Sequence, residues 1–344
     1  MKVSFKLFAA NSLLVIVSVF IALTIAEITV RCLGIAPQLE YIQKGRFRLS
    51  SNPLIRFELV PNFYADDNGR FLDFLGTTNS LGFRDREHPR HAPQGTQRII
   101  ALGDSITQGK ELKKMENIYT AVIENVLNNR GYQVEVFNFG VSGYNTQQEV
   151  ETLIEKGLPL KPHIVVLQYC LNDKERNTTS ILTHLLQQAK DENKWDYRFL
   201  PPFLGKSALY RLIRYKLLHR PYEFGGDWEK SYDWEYNEAS VARYLGILRE
   251  LAAEHHFQVV VAVFPLFENL HQYEYRDEHL EIQRLAQRNG FFFIDLLPVF
   301  QKYDSNWPVA QDYFHPSEWG HECAGKAIAG LIEKNILRPR QFAQ

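Results

Sequence analysis

Gly103-Asp104-Ser105-Ile106-Thr107 puts a hydroxyl side chain directly behind the apolar run Ile99-Ile100-Ala101-Leu102. A buried strand that ends in a glycine-bearing turn presents the next residue at the carboxyl edge of a parallel sheet, where open α/β folds bind ligands. Ser105 is expected where a helix begins. Its backbone N–H would point outward there, and the helix dipole would favour negative charge beside it. That placement suits a nucleophile whose attack creates an oxyanion. By itself the pentapeptide is equally an ordinary strand-to-helix turn, because small residues dominate such turns for conformational reasons.

A serine hydroxyl is a poor nucleophile at neutral pH and needs a base. Asp312-Tyr313-Phe314-His315-Pro316-Ser317 contains one. Histidine has the unperturbed pKa nearest to that task, and a carboxylate can hold its tautomer and stabilise the imidazolium. Asp312 and His315 are close enough in sequence for a single turn to supply base and orienter together. Taken alone, the pair also fits Asp312 capping the helix expected near Ser317, with His315 on the surface.

Two further turns stand between these motifs. Asn138-Phe139-Gly140-Val141-Ser142-Gly143 follows the strand-like Val134-Glu135-Val136-Phe137. Leu171-Asn172-Asp173 follows Ile164-Val165-Val166-Leu167-Gln168. Each should emerge at the same sheet edge as Ser105. The Gly143 N–H and the Asn172 amide could then join the Ser105 N–H as three oxyanion donors.

Together these motifs resemble the SGNH (GDSL-type) hydrolase superfamily, in its membrane-anchored bacterial form. The resemblance runs over residues 79 to 335 and includes the lead-in Asn79-Ser80-Leu81-Gly82-Phe83-Arg84-Asp85. It implies a three-layer α/β/α fold with a central, mainly parallel five-stranded sheet of flavodoxin-like type. It also implies Ser105 as nucleophile, His315 as base and Asp312 as its orienter, with Ser105, Gly143 and Asn172 as the oxyanion hole. The family's third block usually reads Gly-x-Asn-Asp, whereas Cys170 holds the glycine position here. Its side chain is expected either to act as a wall of the acyl pocket or to shift the loop. The G-x-S-x-G elbow of a different hydrolase fold is absent around Ser142, which reads as a turn residue.

The elements that must hold these motifs follow from periodicity. Strands are expected at 98–102, 134–138, 164–168, 258–264 and 291–294, and helices at 116–130, 146–157, 238–256, 276–289 and 318–334. This alternation implies a parallel sheet covered on both faces. Residues 1–35 read as an anchor or signal segment. Leu7 to Ala26 is uncharged and long enough to span a hydrocarbon core, and Lys2 and Lys6 precede it. An uncleaved inner-membrane anchor is expected, with the rest of the chain on the outer side of a bacterial envelope; secretion after signal cleavage is the alternative. Residues 36–97 read as an irregular connector packed on the domain through Ile55, Phe57, Leu59, Phe63, Phe71 and Phe74. Residues 98–344 read as the hydrolase domain, with a lid-like insertion at 174–237.

The formal net charge is −1 and gives no electrostatic footprint for nucleic acid. Three cysteines, Cys32, Cys170 and Cys323, form no disulfide framework, although a Cys170–Cys323 bridge is conceivable outside the cytoplasm. No cofactor or metal motif is found. His255-His256 and the pair His88 and His91 lack acidic or Cys partners at ligand spacing and read as solvated loop or helix ends. The expected substrate is an ester-bearing small molecule, lipid or glycan. Three functions follow: an ester hydrolase, an O-acyltransferase that passes the acyl group to an envelope polysaccharide, and a non-catalytic scaffold. No partner protein can be named from the residues.

Overall fold

The computed structural model describes residues 2–35, 46–63, 77–110, 112–174, 207–213, 238–303 and 306–337. In chain order the helices and strands are α1 (Lys2–Leu33), β1 (Phe47–Leu49), β2 (Phe57–Leu59), β3 (Gln97–Gly103), α2 (Ser105–Gln108), α3 (Tyr119–Asn129), β4 (Val134–Gly140), α4 (Thr146–Thr152), β5 (Ile164–Tyr169), α5 (Ala208–Leu212), α6 (Glu238–His255), β6 (Gln258–Val263), α7 (Arg276–Arg288), β7 (Phe292–Asp295), α8 (Leu297–Phe300) and α9 (Glu318–Asn335). The chain divides into two units. One joins Met1–Tyr41 with Lys194–Asp227, and the other joins Ile42–Asn193 with Trp228–Gln344.

In the smaller unit, Asn11–Leu33 of α1 is long and apolar enough to cross a membrane, with a mean hydropathy of 2.6, and almost none of it is buried. Glu27 interrupts its apolar surface, and its carboxylate has partners. It accepts the Ser207 hydroxyl and the backbone N–H groups of Ala208 and Leu209, each at 2.8 Å, and so caps α5.

In the larger unit, runs of β-branched and aromatic residues form a five-stranded sheet in the order β4-β3-β5-β6-β7. Every pairing is parallel. Strands of such a sheet are buried on both faces, which is why β4 and β5 are mostly apolar and are buried along their whole length, the polar Glu135, Asn138 and Gln168 included. Successive side chains alternate between the faces. Ile99, Ala101, Val134, Val136, Ile164 and Val166 form one core with Ile123 and Leu127 of α3 and Ala324, Ile328 and Ile332 of α9. Residues of the other parity, such as Ile100, Leu102, Val165 and Leu167, are equally buried. This is the expected three-layer α/β/α architecture.

The boundaries differ in two informative places. The helix expected over 146–157 is α-helical only to Thr152 and continues as a wider turn over Leu153–Gly157. The helix after Ser105 is a single turn, closed by Gly109 in the left-handed conformation.

Within the connector, β1 and β2 form an antiparallel hairpin with Phe47 opposite Leu59. Ile55, Phe57 and Leu59 are fully buried. Side chains tie the hairpin to the rest of the unit: the Tyr144 hydroxyl donates to the Phe57 carbonyl at 2.6 Å, Gln148 Nε2 donates to the Ile55 carbonyl at 2.7 Å, and Lys156 Nζ pairs with Glu58 at 2.7 Å. Phe71, Phe74 and most of the 174–237 insertion lie outside the described residues.

Candidate active site

The chain leaves β3 for β4 on one side, then returns to place β5 on the other side of β3. A parallel sheet opens a crevice beyond its strand ends where the order reverses in this way. Ser105 sits there, two residues after Gly103. The Asp104 carboxylate accepts the Ile106 N–H at 2.8 Å and caps the one-turn α2, while the Asp104 N–H donates to Gln168 Oε1 at 3.1 Å. The turn that carries Ser105 is therefore held from both ends.

Ser105 Oγ lies 2.8 Å from His315 Nε2, across 210 residues of sequence. His315 Nδ1 lies 2.9 and 2.8 Å from the two Asp312 carboxylate oxygens. Asp312 Oδ1 also accepts the backbone N–H groups of Phe314 and His315, both at 2.8 Å, so the turn itself fixes the carboxylate. Burial opposes ionisation of Asp312. The His315 imidazole, Lys110 and the His315 N–H outweigh it and hold the carboxyl well below the usual carboxylate range. An ionised carboxylate can only accept, so Nδ1 carries the imidazole proton and Nε2 offers its lone pair to the Ser105 hydroxyl.

Gly143 follows β4 in a turn closed by the Tyr144 N–H on the Val141 carbonyl at 3.0 Å. Its φ of 83° is the left-handed backbone that this turn position requires and that glycine adopts without cost. Gln108 ties this turn to the serine turn, because its Oε1 accepts the Ser142 N–H at 2.7 Å and also the Ser142 hydroxyl. Gly140 permits that approach: a Cβ there would overlap the backbone of Thr107 and Gln108. The Asn172 backbone lies in the single turn Leu171–Lys174 that follows β5; its side chain lies outside the described set. The next residue, Asp173, is buried and accepts the Thr146 hydroxyl at 3.0 Å. Cys170 is fully buried in the core that also contains Phe264 and Tyr273. Cys170 and Cys323 are not joined by a disulfide.

Several residues that the sequence reading left out of the site support it. Arg84, from the lead-in segment, is buried. Its guanidinium donates to the carbonyls of Gln108, Gly109 and Leu112, clamping the chain just beyond α2. Burial pushes it down to about 10, so it stays charged at neutral pH. The Tyr119 hydroxyl, Thr107 Oγ1 and Gln168 Oε1 form a buried hydrogen-bonded chain beneath Ser105. Arg84 could have been found from the lead-in. Gln108 and Gln168 carry no local signal, because a polar residue in or after a strand reads as solvated until the sheet buries it.

His321 lies in α9, is fully buried, and accepts the Tyr119 N–H through Nδ1 at 3.3 Å. Burial, then the neighbouring His315 and Arg84, push its imidazole down to about 3. Its folded pKa lies below its unfolded value, so the unfolded chain takes up the proton first as pH falls. The stability it contributes is complete above about pH 6.5 and drains away toward pH 3, amounting to about 2 kcal/mol lost by pH 5. The fall in Tm between pH 7 and pH 5 should therefore be smaller in His321→Gln than in the unsubstituted chain. Equal falls would show that His321 is not the titrating group.

The GDSL-like Lipase/Acylhydrolase family matches residues 101–323, more than half of the chain. Among curated proteins, none matches this chain. Solved structures similar to it include the lipase/acylhydrolase from Enterococcus faecalis, at 17% identity over 71% of this chain and 99% of that one, with a TM-score of 0.44. A member of the lipolytic protein G-D-S-L family from Veillonella parvula is 14% identical over 71% of this chain and 100% of that one, with a TM-score of 0.41. An acetyl xylan esterase is 17% identical over 70% of this chain and 100% of that one, with a TM-score of 0.42. On the family match, which spans the serine turn, both intervening turns and the Asp312–His315 turn, this chain belongs to the GDSL-like lipase/acylhydrolase family.

Proposed function

We propose that the chain is a serine ester hydrolase in which Ser105, His315 and Asp312 act as nucleophile, base and orienter. The observation that carries this reading is the 2.8 Å contact from Ser105 Oγ to His315 Nε2, with the Asp312 carboxylate on the far side of the ring. Ser105 Oγ attacks the ester carbonyl as its proton passes to His315 Nε2. The tetrahedral oxyanion takes hydrogen bonds from the Ser105 and Gly143 N–H groups and the Asn172 amide. His315 then returns the proton to the departing alcohol, leaving an acyl group on Ser105. Water, deprotonated by the same imidazole, releases the acid. In this scheme Cys170 limits the acyl pocket from behind the Asn172 turn. The 98–344 domain carries the chemistry, with the 174–237 insertion as a lid or substrate wall. The apolar helix α1 anchors the enzyme in the bacterial inner membrane with the domain outside the cytoplasm.

The test is turnover of p-nitrophenyl esters of graded chain length by the full chain, with intact-mass measurement of the quenched enzyme. Hydrolysis in water alone and an acyl adduct on Ser105 are the expected results. If product forms only when a polysaccharide acceptor is added, the chain is an O-acyltransferase. With neither turnover nor adduct on any ester, with or without acceptor, the catalytic reading fails and the scaffold role takes its place.

A further inference from the structure

A second constellation lies at the opposite end of the sheet. β3 begins at Gln97, β5 at Ile164 and β6 at Gln258, so the segments just before them meet at the amino-terminal edge. Ser105 follows the other end of β3, a strand length of about 20 Å away. At this far edge Arg90, His91, Lys161, His163, His255 and His256 surround a cleft of about 560 Å³. It gathers four of the chain's 11 histidines. No acidic side chain among the described residues lines it. In a chain of net charge −1, this is a strongly one-sided concentration of donors.

Arg98 forms the frame of the cleft. Its Nε donates to Glu135 Oε2 at 3.0 Å, and its remaining nitrogens donate to the carbonyls of Pro89, Arg90 and Leu160. Its charge is thus matched by Glu135, and its fork holds two walls of the cleft in place. The Arg98 N–H donates to His163 Nδ1 at 3.0 Å. Burial and the Arg98 charge push the His163 imidazole down, so it stays neutral. With Nδ1 accepting, the ring proton must sit on Nε2, which becomes a fixed N–H donor.

Two more features mark the site. Lys161 and His256 adopt left-handed backbone, with φ of 53° and 58°. Each stands just past a helical segment, where glycine or asparagine is the least strained choice. The chain keeps long, proton-bearing side chains at both positions. A basic residue near a helix end also favours the helix dipole. That role would not require the two positions to share one cleft with Arg90 and three more imidazoles.

We infer that this cleft is an anion-binding site for a phosphate group, supplied by a free phosphoester or by a phospholipid headgroup. The guanidinium of Arg90, the ammonium of Lys161 and the imidazole N–H groups present several donors to one multi-oxygen anion. The inference is independent of the esterase reading.

The experiment is calorimetric titration of inorganic phosphate into the full chain in uncharged detergent at fixed ionic strength. It compares the unsubstituted chain with Lys161→Asn and with Lys161→Asn/His256→Asn. Asparagine tolerates left-handed backbone, so both variants should fold. Saturable binding is expected, weakened about fivefold by loss of the lysine charge and further in the double variant. Turnover of a p-nitrophenyl ester should not change. A parallel titration with glycerophosphoglycerol distinguishes the sources. Tighter binding of the diester identifies a lipid headgroup, and tighter binding of inorganic phosphate identifies a free phosphomonoester. Absence of saturable binding overturns the proposal. So does equal affinity in the double variant with a lowered Tm, which would reduce both residues to helix caps.

Discussion

Ser105→Ala is expected to lower ester turnover by on the order of a million-fold, leaving only what substrate binding and the oxyanion donors supply. The effect is large because, in the proposed triad, the three side chains act as one device. His315 Nε2 has the Ser105 hydroxyl as its proton source at 2.8 Å, and without it the imidazole has nothing to activate. The fold should survive the change. The turn is held by the Asp104 cap, the Gln168 contact and the Arg84 clamp, none of which uses the Ser105 hydroxyl. Steady-state kinetics on a p-nitrophenyl ester, with Tm measured beside it, checks both statements. Retention of more than about a tenth of the activity would mean that another group is the nucleophile.

Asp312→Asn comes next, with a loss of about ten-thousand-fold in kcat expected. Asparagine is nearly the same size, and its amide oxygen can still accept the Phe314 and His315 N–H groups that shape the turn. What changes is the direction of the hydrogen bond to His315 Nδ1. An amide NH₂ there is a donor, so Nδ1 must accept and the ring proton moves to Nε2. Nε2 then faces the Ser105 hydroxyl as a donor and cannot take its proton. The diagnostic is a fall in kcat with Tm preserved. A variant that loses Tm in step with activity would make Asp312 a support for the turn alone.

The depth of these effects follows from how separate parts of the chain converge. Ser105 rides on the end of β3, Gly143 on the turn after β4 and the Asn172 backbone on the turn after β5. His315 comes from the turn before α9, which the Phe267 N–H holds through the Tyr313 carbonyl at 2.7 Å. Gln108 and Arg84 then couple neighbouring turns that the sheet alone would leave independent.

Much of this was legible in the residues. The five strands announce themselves as short, mainly apolar runs rich in Val, Ile and Phe, because a parallel strand buried on both faces is largely apolar. The motifs announce themselves because Gly, Asn and Asp cluster where a chain leaves a strand. The parallel sheet with its motifs on one edge is therefore a local property, repeated along the chain and summed. What local pattern could not supply was partnership between distant side chains. The shortened α2, the Gln108 tie, the buried Arg84 clamp and the neutral His321 all depend on which surfaces the packed layers bring together. The histidines make the contrast plainest. His91, His163 and the adjacent pair His255-His256 are far apart and unremarkable in sequence. The amino-terminal ends of β3, β5 and β6 bring them around one cleft, because strand order, not sequence distance, sets which turns become neighbours.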